Sequence, residues 1–310
     1  MSSERPPTID AVAAARWARA AAFGHVSAQA ASPWLHEEVA RRMAERLQWI
    51  RREPQAWVHW APLRGGLQAH RAIAQRYPQA DCWLVSDGEA PGAREADRMA
   101  RAQLAPPAWK RWLGAARGAL HAGAPADGAA QMVWANMALH MSADPQALLA
   151  HWQRLLAVDG FLMFSALGPD TLRELRALYA QLGWGAPAHE FTDMHDWGDM
   201  LVHAGFAEPV MDMERVVLTW ESPQALLAEL RTLGTNLHQA RFAGLRGRGW
   251  RARLEAALAD ALADPAQGGR LALTFEIVYG HAFKAAPRVR VAEHSALSLG
   301  DMRRMLARPR

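Results

Sequence analysis

Residues able to do chemistry are concentrated at positions 57–66, where a short apolar run leads into a turn with two adjacent glycines. His59 can donate, accept or carry a proton near neutral pH. Arg64 is a permanent cation. Gly65 and Gly66 lack a Cβ atom, so another chain or a ligand can approach the backbone closely. A turn of this kind at the start of a helix can bind an anion.

Two interpretations of this turn follow from its residues alone. In one, His59, Trp60 and Arg64 form an anion site at the helix start. In the other, Trp60 fills the space of a ligand and Arg64 faces solvent. A helix predicted over 68–76 follows directly, and a doubly wound α/β domain places its nucleotide-binding loop between its first strand and first helix. The turn is therefore the candidate ligand loop of such a domain.

Short apolar runs alternate with amphipathic helical patterns along most of the chain. Strands are predicted over 57–60, 82–85, 131–134, 161–165, 210–220 and 271–283. Helices are predicted over 34–50, 68–76, 145–156, 171–182, 194–203, 223–233 and 250–262, and the stretch 91–123 is predicted to be helix and loop. Strand–helix alternation indicates an open, mostly parallel sheet, whose last long strand can enter antiparallel.

The composition limits the classes of protein to which the chain can belong. The 310 residues are 51% hydrophobic with a net charge of +4, which supports one well-filled core. Cys82 is the only cysteine, so no disulfide forms within the chain, and the first ten residues lack a signal-peptide layout. A cytoplasmic location is expected, and no apolar run approaches the roughly 18 residues of a membrane span. The sequence lacks a basic face with interleaved aromatic residues, so it gives no indication of nucleic-acid binding.

A metal site is not expected. His189, His195 and His203 are the candidate ligands, and their spacing is too irregular for a tetrahedral set. Cys82 lies in an apolar predicted strand and is expected to pack rather than react.

Four stretches together carry a family resemblance. They are AFGHVSAQAASPWLHEEVARRMAERL at 22–47, NMALHMSADPQALLAHWQRLLAVDGFLMFSALGPDTLRELR at 136–176, FTDMHDWGDMLVHAGFAEPVMDMERVVLTWESPQALLAELRTLGTN at 191–236 and TFEIVYGHAFK at 274–284. The chain resembles the class I S-adenosylmethionine-dependent methyltransferases, closest to the malonyl-acyl-carrier-protein O-methyltransferases of biotin synthesis. A more distant likeness is to a respiratory complex I assembly factor of the same fold. The resemblance covers most of residues 20–285.

The resemblance implies an α/β fold with a Rossmann-like seven-stranded sheet, helices on both faces, and a helical lid inserted before the last strand. The last strand would run antiparallel between two others. The implied divisions are an N-terminal helical segment at 1–50, a core at 51–220, a lid at 221–269, and the last strand with the tail at 270–310. The lid would cover a pocket for an acyl group.

The implied reaction moves a methyl group from S-adenosylmethionine to the free carboxylate of a malonyl group on acyl-carrier protein. That carboxylate is already a nucleophile, so positioning supplies most of the rate and no catalytic base is expected. The arginine-rich lid is the expected docking face for acyl-carrier protein or another acidic protein.

Carried over residue by residue, the family's cofactor motifs are incomplete. The acidic position at the end of the first strand is His59, and the three glycine positions fall on Ala61, Leu63 and Gly65. The ribose carboxylate position is Ser86, with Asp87 one residue later. The candidate cofactor contacts are Gly65, Gly66, Asp87 and Asn136, with His59 at the acidic position.

Each lost polar contact weakens binding by about 1–3 kcal/mol, and every 1.4 kcal/mol is about tenfold in affinity. Two functions therefore remain open. The first is S-adenosylmethionine-dependent methyl transfer with a divergent cofactor loop. The second is a catalytically silent binding or assembly protein on the same fold.

Overall fold

A computed structural model describes residues 9–23, 32–86, 91–105, 118–242, 244 and 246–286. The strands are β1 (Ala56–Trp60), β2 (Asp81–Val85), β3 (Leu120–Ala122), β4 (Ala130–Ala135), β5 (Leu156–Leu167), β6 (Phe206–Trp220), β7 (Ala263–Asp264) and β8 (Arg270–Lys284). The α-helices are α1 (Ala11–Phe23), α2 (Trp34–Arg46), α3 (Pro62–Gly65), α4 (Leu67–Arg76), α5 (Pro91–Leu104), α6 (Pro145–Leu155), α7 (Arg173–Gln181), α8 (Met194–His203), α9 (Pro223–Leu233) and α10 (Arg248–Ala261).

All the strands belong to one mixed sheet with the order β3-β2-β1-β4-β5-β8-β6, and the two-residue β7 pairs with β8. The strands from β1 to β5 are parallel to their neighbours, whereas β8 runs antiparallel between β5 and β6. This arrangement confirms the predicted seven-stranded sheet with an antiparallel last strand. Helices α9 and α10 lie between β6 and β8 in the chain, where the lid was predicted.

The central strands are hydrophobic on both faces because helices cover the sheet on both sides. Trp57 of β1 packs in one core layer with residues of α2 and α4. Val58 and Trp60, which point to the opposite face, pack in a second layer with residues of α6 and α8. The alternation of side chains along β1 therefore decides which residues can reach the ligand loop.

Local sequence signals explain most of the helix starts. Asp144 caps α6 by accepting the amide hydrogen of Ala147, and Ser222 caps α9 in the same way. A proline follows each cap at the first helical position, where its missing amide costs nothing. Strand β3 was not predicted, because three residues inside a stretch read as helix and loop carry no periodic signal. Among the described residues, no helix combines the length and the apolarity needed to cross a bilayer.

Helix α2 is anchored to the far side of the sheet by charged groups. Arg42 Nη1 lies 2.6 Å from Glu214 Oε2, and Arg46 Nη2 lies 2.7 Å from Asp212 Oδ2. The Arg46 guanidinium also stacks 3.8 Å from the centre of the Tyr279 ring. These contacts join α2 to β6 and β8, so the helix is held in place at both its apolar and its polar face.

The glycine of the YGHAFK segment has a steric reason. Gly280 of β8 pairs directly with Phe164 of β5, whose ring lies across the glycine. A Cβ atom there would come within 2.6 Å of Phe164 Cζ and 2.9 Å of Met211 Sδ. Both neighbouring strands thus require the smallest residue at this position.

We predict that Gly280→Ala destabilises the protein by about 1–3 kcal/mol, the usual cost of forcing an extra carbon into a packed core. Gly249→Ala is the matched control, because Gly249 lies in the first turn of α10 with nothing within 4 Å of the added carbon. There we expect a small gain in stability from the better helix former. Urea denaturation measures both, and equal midpoints for the two variants would contradict the steric argument.

Candidate functional site

The loop after β1 is a closed helical turn. Ala61 adopts a left-handed conformation with φ 48°, and the α3 turn follows it immediately. The amides of Arg64 and Gly65 both donate to the Ala61 carbonyl, at 3.0 and 2.8 Å, and the Gly66 amide donates to the Pro62 carbonyl at 3.2 Å. Pro62 has no amide hydrogen to offer. Most amides that a ligand could use are therefore already bonded within the loop.

His59 is completely buried beneath this loop. Its Nδ1 lies 3.2 Å from His70 Nδ1 of α4, so one of the two rings donates a hydrogen to the other. Burial, with a smaller effect of the neighbouring His70, holds the pKa of His59 well below its usual value. Its Nε2 has no hydrogen-bond partner among the described residues. The residue at the predicted acidic position is thus a neutral imidazole.

Asn136 holds the loop against α2 and β5. Its side-chain amide donates to the carbonyls of His36 at 2.8 Å and Gly65 at 2.6 Å. Its Oδ1 accepts the Ser165 hydroxyl at 2.6 Å. All three bonds of this buried side chain go to the protein, which leaves Asn136 in a positioning role at the end of β4.

The predicted anion site does not assemble. Trp60 packs edge-on against His151 and Trp152 of α6, on the opposite face of the sheet from His59. The Arg64 guanidinium lies 4.0 Å from the centre of the Trp17 ring of α1. The three side chains of the anion interpretation therefore do not converge, because strand alternation turns Trp60 into the core away from His59 and the Arg64 guanidinium stacks on Trp17.

The remaining candidate contacts are only partly brought together. Gly65 lies against His59 and Asn136: a Cβ added there would be 3.6 Å from His59 Nε2 and 3.3 Å from the Asn136 carbonyl oxygen. Gly66 has φ 116°, which favours glycine, and it begins α4. Asp87 lies outside the described residues.

An apolar cavity of about 260 Å³ lies between β5, α7 and α9. That volume is near the lower end of the roughly 300–1,000 Å³ of small-molecule sites. Its apolar lining includes Leu167, Leu172, Leu175, Phe191, Leu227, Leu230 and Phe275, and its polar lining includes His189, Arg231 and Asn236. Arg231 is the only arginine or lysine among the described lining residues. The cavity can shield a short acyl group from water and offers one cation to an anionic part of it.

A second cavity of about 520 Å³ opens between the start of α6 and the N-terminal residues before α1. Its lining includes His140, Asp144, Glu190 and Thr192, so it is more polar than the first. His140 lines both cavities. The described lining of neither cavity includes a residue of the loop after β1. The loop is nevertheless close to His140, because burial and, to a smaller extent, the charges of His189, His36 and Arg64 hold the pKa of His140 well below its usual value.

Comparison with known proteins decides the family. The chain is 41% identical over 267 residues to the malonyl-[acyl-carrier protein] O-methyltransferase of Laribacter hongkongensis, covering 83% of this chain and 84% of that protein. It is 37% identical over 265 residues to the enzyme of the same name from Gallionella capsiferriformans, with 84% and 87% covered. This chain belongs to the malonyl-[acyl-carrier protein] O-methyltransferase family.

Solved structures agree at the level of fold. The YcgJ protein of Bacillus subtilis matches 81% of this chain and 99% of its own, with a TM-score of 0.50 and 13% identity. No protein-family model matches the chain. The strand order and the family together give the class I methyltransferase fold, as the sequence predicted.

Family members use S-adenosylmethionine, and the described residues of this loop do not fit its methionine part. The cofactor carries an ammonium group, and a neutral His59 takes the position that the resemblance assigns to a carboxylate. The loop amides are bonded internally instead of facing a ligand. The side chain of Leu63 packs against the core, at a position that the resemblance assigns to glycine. Of the three positions that the resemblance assigns to glycine, only Gly65 carries one, and its neighbours lie close to it.

The contacts that close the loop come from α2 and from Ser32 just before it, and sequence reasoning missed them. Ser32 Oγ donates to the Leu63 carbonyl at 3.0 Å, and His36 Nδ1 lies 2.9 Å from the Arg64 carbonyl. Burial, opposed by this hydrogen bond, lowers the pKa of His36 to about 4. Since an imidazole at that pKa is neutral at pH 7, its Nδ1–H is the donor. The pattern that predicted α2 gave no signal for these long-range bonds.

Stability is expected to fall steeply in mild acid. Burial is the main cause that lowers the pKa of His36, His70 and His189 to about 4 each. The unfolded chain binds their protons near pH 6.5, so stability contributed by the neutral rings is present above that pH and is lost as pH falls toward 4. Each unit of pKa shift corresponds to about 1.4 kcal/mol.

Urea denaturation between pH 7.5 and pH 4.5 tests this expectation. The free energy of unfolding should drop across that window, and His70→Gln should flatten the slope because one buried titrating ring is gone. A profile that stays level in the wild-type protein would contradict the assignment of these rings as neutral.

Proposed function

We propose that this protein binds a short carboxylated acyl group carried on acyl-carrier protein, with the acyl group in the 260 Å³ cavity. The supporting observation is the lining of that cavity. Leucine side chains from α7 and α9 cover the ligand, while Arg231 supplies a cation for its carboxylate. Relatives at 41% and 37% identity are named for action on malonyl-acyl-carrier protein.

In this proposal, residues 221–269 form a lid over the acyl group. Helix α9 contributes Leu226 and Leu233 to the core, and α10 contributes Leu254 and Leu258, so the segment is fixed to the sheet by apolar burial. Arg246 stabilises the loop between α9 and α10. Its guanidinium lies 4.1 Å from the centre of the Trp250 ring and donates to the Trp184 carbonyl at 3.1 Å. The outer face of α10 is then free to meet a partner.

One stretch of the lid is rich in arginine. Between residues 231 and 253 the sequence has six arginines and no acidic residue. Arg251 lies 2.7 Å from Glu255, and the pKa of Glu255 is lowered chiefly by that hydrogen bond and also by the charge of Arg231. Arg231 at the cavity is therefore a neighbour of the arginines on α10. Such a face complements an acidic acyl-carrier protein.

We propose further that binding occurs without methyl transfer. The closed loop after β1 supports this, because the groups that would hold the methionine part of S-adenosylmethionine are missing or engaged. Methyl transfer to the malonyl carboxylate is the second candidate, and the 41% identity to a named methyltransferase favours it. The two candidates share the acyl cavity and differ only in the cofactor.

Calorimetry with malonyl-acyl-carrier protein and, separately, with S-adenosylmethionine distinguishes the candidates. We expect saturable binding of the carrier, no heat with the cofactor at millimolar concentration, and no labelled methyl on the malonyl group. A strain that lacks its own malonyl-acyl-carrier-protein methyltransferase can be made to produce this protein. Its growth without biotin would establish the second candidate. Absence of carrier binding would refute both.

Charge reversal on the lid tests the docking face. The double variant Arg248→Glu/Arg251→Glu should weaken binding of malonyl-acyl-carrier protein about tenfold or more, because like charges across an interface repel. Arg253→Glu is the control, since it lies two residues from Arg251 and so about 200° around the same helix. Malonyl-pantetheine, which lacks the carrier, should bind all three proteins equally. Equal loss in the control would contradict this face.

A further inference from the structure

A carboxylate of the chain itself occupies the start of α4. Glu37 Oε1 accepts the amide hydrogen of Leu67 at 2.9 Å, and both of its carboxylate oxygens lie within hydrogen-bond distance of the Gln68 amide, at 3.3 and 3.2 Å. The Leu67 amide also reaches Ser32 Oγ at 3.2 Å. These are the first two amides of a ten-residue helix, where the backbone carries partial positive charge.

The backbone is shaped for this contact. A Cβ atom on Gly66 would lie 2.9 Å from Glu37 Oε2 and 3.3 Å from the Ala40 methyl carbon, so α2 can approach only because residue 66 is glycine. Glu37 comes from α2, which its arginines fix to β6 and β8. The Glu37 carboxylate is therefore held in a fixed position by α2.

The polar group on the other side of the loop has no partner. His59 Nε2 is buried without a hydrogen bond, and it points at Gly65, 3.6 Å from where a Cβ atom would lie. In an open ligand loop, the backbone amides and the polar side chain at the end of β1 would both face the ligand. Here the Leu67 and Gln68 amides donate to Glu37, and the His59 imidazole faces the Gly65 backbone.

We propose that Glu37 acts as an internal carboxylate that closes the loop after β1 to ligands carrying a carboxylate of their own, S-adenosylmethionine included. Two carboxylates cannot share the same pair of amides, and the negative charge of Glu37 repels a second one. The closure lies at the β1 end of the sheet. It rests on the part of the proposed function in which no methyl is transferred, and carrier binding can be measured separately from it.

Removal of the Glu37 side chain tests the closure. In Glu37→Ala the Gln68 amide loses its acceptors, and its hydrogen exchange should accelerate about 2- to 30-fold, the range expected for a lost helix cap. The Leu67 amide keeps Ser32 Oγ as an acceptor and should be affected less. Sodium acetate should restore the protection and raise the melting temperature, whereas sodium chloride at equal ionic strength should not. Glu37→Gln keeps an oxygen acceptor and should fall between wild type and alanine.

Glu38→Ala is the matched control. Glu38 is the next residue of α2 with the same charge, but its carboxylate pairs with Arg41 and Arg42 on the helix surface. It should show no acetate-specific effect. Saturable binding of acetate or S-adenosylmethionine by the wild-type protein would overturn the proposal, as would acetate effects equal in the two alanine variants or unchanged protection of Gln68 in Glu37→Ala.

Discussion

The docking of α2 across the sheet is the contact on which the rest of the site depends. Leu35, Val39 and Met43 bury one face of the helix in the core. Its other face is tied by Arg42 and Arg46 to the antiparallel half of the sheet. One rigid helix therefore spans from the β1 loop to β6, and the loop can adopt only conformations that this helix allows.

Much of the fold was predictable because its signals are local. The apolar runs of β1, β2, β4 and β8 and the amphipathic pattern of α2 appear in the sequence within a few residues of their true bounds. The three residues of β3 did not, since their strand character comes from pairing with β2 and not from their own pattern. Topology followed from strand–helix alternation and the family resemblance.

Only part of the candidate site could be predicted from the sequence. The sequence itself shows His59, Pro62 and Leu63 at positions where the resemblance leads us to expect a carboxylate and an open glycine-rich loop. The carboxylate that accepts from the Leu67 amide, however, is that of Glu37, and the contact spans about thirty residues. Whether these two meet depends on the angle at which α2 packs, which is set by Arg42 and its distant acidic partner and not by local pattern.

The loop after β1 and the 260 Å³ cavity are built on different strands of the sheet. The loop follows β1, whereas the cavity is lined by residues of β5, β8 and α9, and β4 lies between β1 and β5. The two regions are linked through His140, which lines the cavity and whose pKa is lowered by burial and, to a smaller extent, by the charges of His36 and Arg64. In the proposed function, a change in the loop alters cofactor binding and leaves the leucine lining and Arg231 in place, because none of those lining residues belongs to the loop.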